Sequence, residues 1–288
     1  MDLRAIGMGL AFALMWSSAF TSARMIVADA PPMLALALRF LFSGLIACGI
    51  AAAMGQSWHL SRAQWKSTVI FGICQNALYL GLNFIAMQWV QASVASIIAS
   101  TMPLMVAFLG WIVFRDRIRP LGLIGLIAGV IGVGIIMGAR LSGGVDPVGV
   151  ALCFAGALAL SVATLSVRGA ASGGNVLMIV GLQMFVGAAA LFAASALTED
   201  WTAIHWSARL IWAFIYTTLI PGVLATWVWF RLVGQIGAVK AATFHFLNPF
   251  FGVAIAAAVL GERLGPADLL GVAVIAGGIL AVQMSKGR

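Results

Sequence analysis

A chain that says the same thing twice must fold as two related halves. Here Ala92, Ala95, Pro103, Arg117, Pro120, Leu123, Gly125 and Gly132 return 146 residues later as Ala238, Ala241, Pro249, Arg263, Pro266, Leu269, Gly271 and Gly278. Asp116 is matched by Glu262. The predicted halves are residues 1–145 and 146–288. Both are apolar: 63% of the chain is hydrophobic and only 8% is charged. Soluble domains carry roughly 25% charged residues, so the chain is expected to be an integral membrane protein. Duplicated halves in a membrane are the usual architecture of a secondary transporter, with the substrate site between them.

The net charge of +8 does not point to nucleic acid. The basic residues cluster at the ends of apolar runs, as the positive-inside rule expects, and the densest stretch is only Arg115-Asp116-Arg117-Ile118-Arg119. Cys48, Cys74 and Cys153 are odd in number, lie within apolar runs and lack metal-ligand spacing. They read as small buried hydrophobes. His59, His205 and His245 are scattered, and the sequence has no carboxylate pair, Walker motif or glycine-rich nucleotide loop. No cofactor or metal is expected, and neither an enzyme nor an ATP-driven pump is favoured.

A hydrocarbon core of about 30 Å takes roughly 20 residues as helix, and only helices or closed barrels satisfy the backbone there. The runs are about twice the length of barrel strands and do not alternate. The first, Ala5 to Ala23, carries Trp16 and Phe20 and is followed by another span, so it reads as a transmembrane helix and not as a signal peptide. Ten spans are predicted, at 4–24, 33–54, 66–87, 91–113, 120–139, 147–169, 174–197, 208–231, 238–260 and 266–285. With a cytoplasmic amino terminus, Arg4, Arg62, Lys66, Arg115, Arg117, Arg119, Arg168, Arg231, Lys286 and Arg288 lie inside. Arg24, Arg140, Arg209 and Arg263 lie outside. The bias puts both termini in the cytoplasm. Five spans per half is odd, so the second half enters from the opposite face. The fold class expected is an all-α polytopic bundle, a 5+5 inverted-topology repeat.

Two prolines interrupt matching helices. Pro103 in helix 4 and Pro249 in helix 9 lack an amide hydrogen and leave the carbonyls of Ala99 and His245 unpaired. Either packing absorbs the kinks or they serve as hinges, and Pro221 in helix 8 is a third candidate. On helix 3, Asn76, Tyr79 and Asn83 share a face that should look inward. Its repeat partner, helix 8, offers Tyr216 and Trp227. Helix 1 offers Trp16, Ser17 and Phe20, and helix 6 offers Ser161 and Thr164. Ser96 and Ser100 share a helix 4 face; they either line a cavity or allow close packing. Helix 9 presents Phe244, His245 and Asn248. Interhelical hydrogen bonding and substrate contact both account for these polar faces. Trp16 and Trp227 lie too deep for an interfacial belt, and an aromatic-lined cavity would hold flat apolar groups or organic cations. Arg39 either snorkels to the outer surface or pairs with Asp29. Lys240 either snorkels inward or attracts a substrate carboxylate. His245 either hydrogen-bonds a neighbour or carries a proton; no acidic residue lies mid-membrane. Glycines 125, 129, 134, 138, 271, 277 and 278 suggest close packing of helices 5 and 10.

Trp16-Ser17-Ser18-Ala19-Phe20, Pro31-Pro32 followed by Arg39-Phe40, Asn248-Pro249-Phe250 and, most specifically, Gly261-Glu262-Arg263-Leu264 before Pro266 resemble the drug/metabolite transporter superfamily, EamA type. The resemblance covers the whole chain. The first copy departs from it, with Asp116 where the family usually has Glu. The nearest likeness is to aromatic amino-acid exporters of the YddG type. The resemblance implies export of small metabolites across the cytoplasmic membrane of a prokaryote by alternating access. It also implies a central cavity built by helices 1, 3, 4, 6, 8 and 9, with helices 5 and 10 as scaffold and no cofactor. The partners expected are a small-molecule substrate, the lipid bilayer, and a proton or counter-substrate, with a monomer as the default. Another solute class (an organic cation, nucleoside or sugar derivative), a channel or a membrane enzyme are the alternatives.

Overall fold

The computed structural model describes residues 3–115, 119–166, 174–236 and 243–286. All regular structure among them is helical. In chain order the helices are α1 (Leu3–Val27), α2 (Pro32–Ala53), α3 (Arg62–Ala86), α4 (Ala92–Ser100 and Met102–Phe114) and α5 (Pro120–Ser142). They continue with α6 (Pro147–Ser166), α7 (Val176–Thr198), α8 (Ala208–Ile236), α9 (Thr243–Leu247 and Asn248–Leu260) and α10 (Pro266–Lys286). Eight helices are long and apolar enough to cross a membrane, and Asn248–Leu260 and Pro266–Val282 are shorter apolar segments. Large apolar side chains such as Ile124, Ile127, Val130 and Ile131 face outward on α5, as a hydrocarbon solvent permits.

The glycines of α5 and α10 set the closest backbone approach. A Cβ added to Gly125 would lie 2.6 Å from the Gly278 carbonyl oxygen, and one added to Gly278 would lie 2.6 Å from that of Gly125. Gly132 and Gly271 face each other in the same reciprocal way, at 2.9 and 2.8 Å. Rising numbers on one helix meet falling numbers on the other, so the two run antiparallel. Each glycine meets the repeat counterpart of the other glycine on its own helix: Gly125 meets Gly278, the counterpart of Gly132, and Gly132 meets Gly271, the counterpart of Gly125. Gly134, Gly138 and Gly277 do not join this seam: a Cβ on any of them would meet nothing within 4 Å. Close packing therefore uses only part of the glycine stripe.

The two halves also break their helices at matching places. α4 is interrupted at Thr101 and restarts at Met102; α9 passes from a 3-10 turn to α-helix at Asn248. Each restarted segment is 13 residues long, with its proline in the first turn, where no amide is needed. Each ends on a left-handed residue, Arg115 at φ 55° and Gly261 at φ 68°. Likewise α3 widens into a π-helix at Gly72–Leu80 and α8 at Thr218–Leu224. Starts at 72 and 218 keep the repeat spacing.

Charge collects beyond the helix ends. Glu199 accepts the amides of Met33 (2.8 Å) and Leu34 (2.9 Å) at the start of α2. Glu262 does the same for Ala92 (2.8 Å) and Ser93 (3.0 Å) at the start of α4. Both place a carboxylate on orphan donors at the positive end of a helix dipole. Arg140 donates to both carboxylate oxygens of Asp268 (2.9 Å each) and to Gln91. Asp29 takes Arg209 (2.7 Å) and Ser207 (2.8 Å), and Ser207 in turn caps α8 through the Leu210 amide.

Candidate functional site

A small chamber lies part-way along α1, lined by Trp16, Phe20 and Ala23 of α1, Arg39 of α2, Tyr79, Asn83 and Phe84 of α3, Met87, and Pro221 of α8. Its free volume is about 40 Å³. A water needs roughly 10–15 Å³ on that measure, so a few waters fit and no organic solute does in this closed arrangement. Toward the α1 end that carries Arg4, the rings of Phe12, Trp16, Trp229 and His245 pack together with centroids 4.8–6.5 Å apart. Phe244 fills the space beside Gly9. Beyond this block opens a separate groove of about 490 Å³, lined by Arg4, Met8, Gln56, Trp227, Arg231 and Gln235 among others.

Both π-helices bear on the chamber. In α3 the wider segment carries Tyr79, and Asn83 follows one turn on in α-helix; both are nearly fully buried. Asn83 Nδ2 donates to the Tyr79 carbonyl at 2.8 Å, while Asn83 Oδ1 has no partner. In an α-helix Pro221 would leave the Thr217 carbonyl without its amide partner; the π-helix of α8 that begins at Thr218 shifts the pairing to the amide one residue further on. Arg39 Nε, reaching across from α2, donates to that carbonyl at 3.3 Å. One turn along, Ser43 Oγ donates to the Thr218 carbonyl at 3.3 Å. Arg39 thus neither snorkels outward nor pairs with Asp29, which is taken by Arg209. Its guanidinium is buried, 5.2 Å from the Phe40 ring. Sequence reasoning gave Arg39 no part in the site. The signal that links it to the chamber is a proline in a distant helix.

Of the residues expected at the site, Trp16, Phe20, Tyr79, Asn83 and Pro221 line the chamber; the others among the described residues lie elsewhere. Ser17 Oγ donates to the Asn248 carbonyl at 3.2 Å, tying α1 to α9. Asn76 Nδ2 donates to the Gln183 carbonyl at 2.9 Å, because the α3 face that carries it packs on α7 beside Gly187. Ser96 presses on Gly252, so the small face of α4 admits α9 and not a solute. Ser100, Ser161 and Thr164 donate back to the carbonyls of Ser96, Ala157 and Leu160 in their own helices. Tyr216 is exposed and shares a 2.8 Å hydrogen bond with Ser18. Trp227 stands in the groove under the Arg231 guanidinium, 5.1 Å away. Phe244 packs on Gly9 beside the block, to which His245 belongs, and His245 Nδ1 is 2.9 Å from Asn248 Nδ2. Pro103 and Pro249 sit at the helix restarts. Lys240 lies outside the described residues. The chamber is therefore made by α1, α2, α3 and α8. α4, α6 and α9, which the resemblance implies for a central cavity, do not line this chamber: Ser100, Ser161 and Thr164 bond within their own helices, and Ser96 faces Gly252 of α9.

A bundle of helices with large apolar side chains facing outward around a small, aromatic-lined chamber fits a polytopic membrane protein. The sequence profile of the EamA-like transporter family matches the chain twice, over residues 3–138 and 147–284. The chain belongs to that family, within the drug/metabolite transporter superfamily, and is a multi-pass membrane transporter of small solutes, not an enzyme. It is 27% identical over 270 residues to "Uncharacterized transporter YvbV" of Bacillus subtilis (strain 168), covering 94% of this chain and 88% of that one. It is 25% identical over 290 residues to "Uncharacterized inner membrane transporter YedA" of Escherichia coli (strain K12), covering 96% and 90%. A solved crystal structure aligns with a TM-score of 0.69 at 20% identity over 98% of this chain and 96% of its own, which speaks for the fold.

Proposed function

We propose that this transporter exports small amphipathic metabolites, aromatic amino acids foremost, across the cytoplasmic membrane of a prokaryote by alternating access through the α1–α2–α3–α8 chamber. The observation that carries this reading is the chamber itself: Trp16, Phe20, Tyr79 and Phe84 offer ring faces beside a buried polar group, Asn83. That is a surface for a flat apolar side chain with a polar head. The two halves, 1–145 and 146–288, act as an inverted pair with both termini in the cytoplasm. The reciprocal glycine seam of α5 and α10, and the paired helix breaks, support that symmetry. The Phe12–Trp16–Trp229–His245 block is the cytoplasmic gate and the basic groove below it the vestibule. In the closed arrangement the solute is excluded, and the chamber must widen to admit it.

Counterflow of labelled L-phenylalanine into proteoliposomes tests the reading. Saturable exchange by the wild type should fall at least about tenfold in Trp16→Ala, Tyr79→Ala and Asn83→Ala, as when a desolvated contact is lost. Ser161→Ala, whose hydroxyl is spent on its own helix, should exchange like the wild type. Wild-type exchange in all four variants would place the route elsewhere.

A further inference from the structure

We infer that Arg39 is the residue that recognises the substrate, by receiving its carboxylate in the chamber; this deepens the function proposed above and rests on the chamber being the transport site. A guanidinium is always charged and is costly to bury without a countercharge. Arg39 is 6% exposed and lines the chamber. Among the described residues every carboxylate is engaged elsewhere. Asp29 holds Arg209, Asp268 holds Arg140, Glu199 and Glu262 cap α2 and α4, Asp146 caps Gly149, and Asp200 binds Thr202. The Phe40 ring and the Thr217 carbonyl offer partial negative charge, and neither is an anion.

The geometry of that one hydrogen bond matters. Nε is committed to the Thr217 carbonyl. The remaining donors of the guanidinium are on Nη1 and Nη2, the edge that meets a carboxylate end-on through two parallel hydrogen bonds. The Thr217 carbonyl therefore holds the arginine in one orientation with its fork unspent. A solute bearing a carboxylate beside a flat apolar group satisfies both the fork and the rings of Trp16, Phe20 and Tyr79. Arg39 thus selects acids and zwitterions over amines of the same shape.

Competition binding on the purified full-length protein in lipid nanodiscs tests this, with L-phenylalanine, 3-phenylpropionate, L-phenylalaninamide, phenethylamine and L-leucine as probes. The wild type should bind the two phenyl acids at least about tenfold more tightly than the amide and the amine, the size of one charge-assisted contact. That comparison needs no variant. Arg39→Gln should erase the preference, and Arg39→Lys, which keeps the charge but not the fork, should retain it at reduced affinity. A role confined to clamping Thr217 would lower the unfolding temperature of both variants and leave the acid-to-amine ratio unchanged. Equal wild-type affinity for acids and amines, or a preference that survives Arg39→Gln, overturns the assignment while leaving aromatic transport standing. An Arg39-dependent preference for L-leucine over every phenyl compound supports Arg39 and overturns the aromatic reading. No binding of any probe overturns both.

Discussion

A polar side chain in a membrane helix has two ways to be satisfied, and this molecule separates them residue by residue. Ser100, Ser161 and Thr164 return their hydroxyls to the carbonyl four residues back. Asn76 spends its amide on a neighbouring helix. Asn83 gives one end to Tyr79 and keeps Oδ1 open, and it alone of these lines the chamber. At the membrane surface the currency is charge. The Arg209 guanidinium, and after it the Ser207 hydroxyl, hold the Asp29 carboxyl below its ordinary value of 3.8. The folded protein therefore keeps that carboxylate ionised to lower pH than the unfolded chain does. The stabilisation is fully present above the ordinary value and disappears as pH falls through the lower, folded-state value. Thermal unfolding of wild type against Asp29→Asn should show a constant gap from pH 7 to about pH 5, narrowing progressively as pH drops past about 4. A gap that widens on acidification would contradict the pairing.

Helices are where most of the sequence signal lay. Apolar length announced the spans because hydrocarbon leaves a chain no other way to satisfy its backbone. Pro103 and Pro249 announced the breaks because a missing amide is a covalent fact. The π-turn of α3 had no such announcement: nothing in Gly72–Leu80 is forbidden in an α-helix, and the wider turn follows from tertiary packing. Serine faces were equally silent, since the same spacing serves a cavity wall or a close crossing. Arg39 was visible as an oddity, a charge within an apolar run. Its use depended on Thr217, a carbonyl 178 residues away. The glycine stripe was legible as a packing surface but not in its extent. Its seam makes a sharp forecast. Gly125→Val puts a side chain against the Gly278 and Val282 backbone, which cannot yield, and should cost about 1–3 kcal/mol of stability. Gly134→Ala meets open space and should leave the unfolding midpoint within error or raise it. Equal losses in the two variants would show that α5 and α10 do not cross there.

Across the whole molecule, the reciprocal contacts of α5 with α10, and helix breaks that keep the repeat spacing, support the proposed reading of two copies facing each other in opposite senses. The proposed orientation has a direct reading. On that orientation Arg115, at the end of α4, and Arg263, just beyond the end of α9, lie on opposite faces of the membrane. In a background lacking Cys48, Cys74 and Cys153, Arg263→Cys should react with an impermeant maleimide added to whole cells. Arg115→Cys should react only after the membrane is opened. Labelling of both from the same side would remove the inverted arrangement and with it the proposed cycle.

The ring block formed by Phe12, Trp16, Trp229 and His245 has a consequence for the cell. Protons and small ions cross bilayers along unbroken files of water, and four packed rings between the chamber and the basic groove interrupt any such file on that side. In its proposed role as gate, the block would let the protein be abundant in an energised membrane without short-circuiting it.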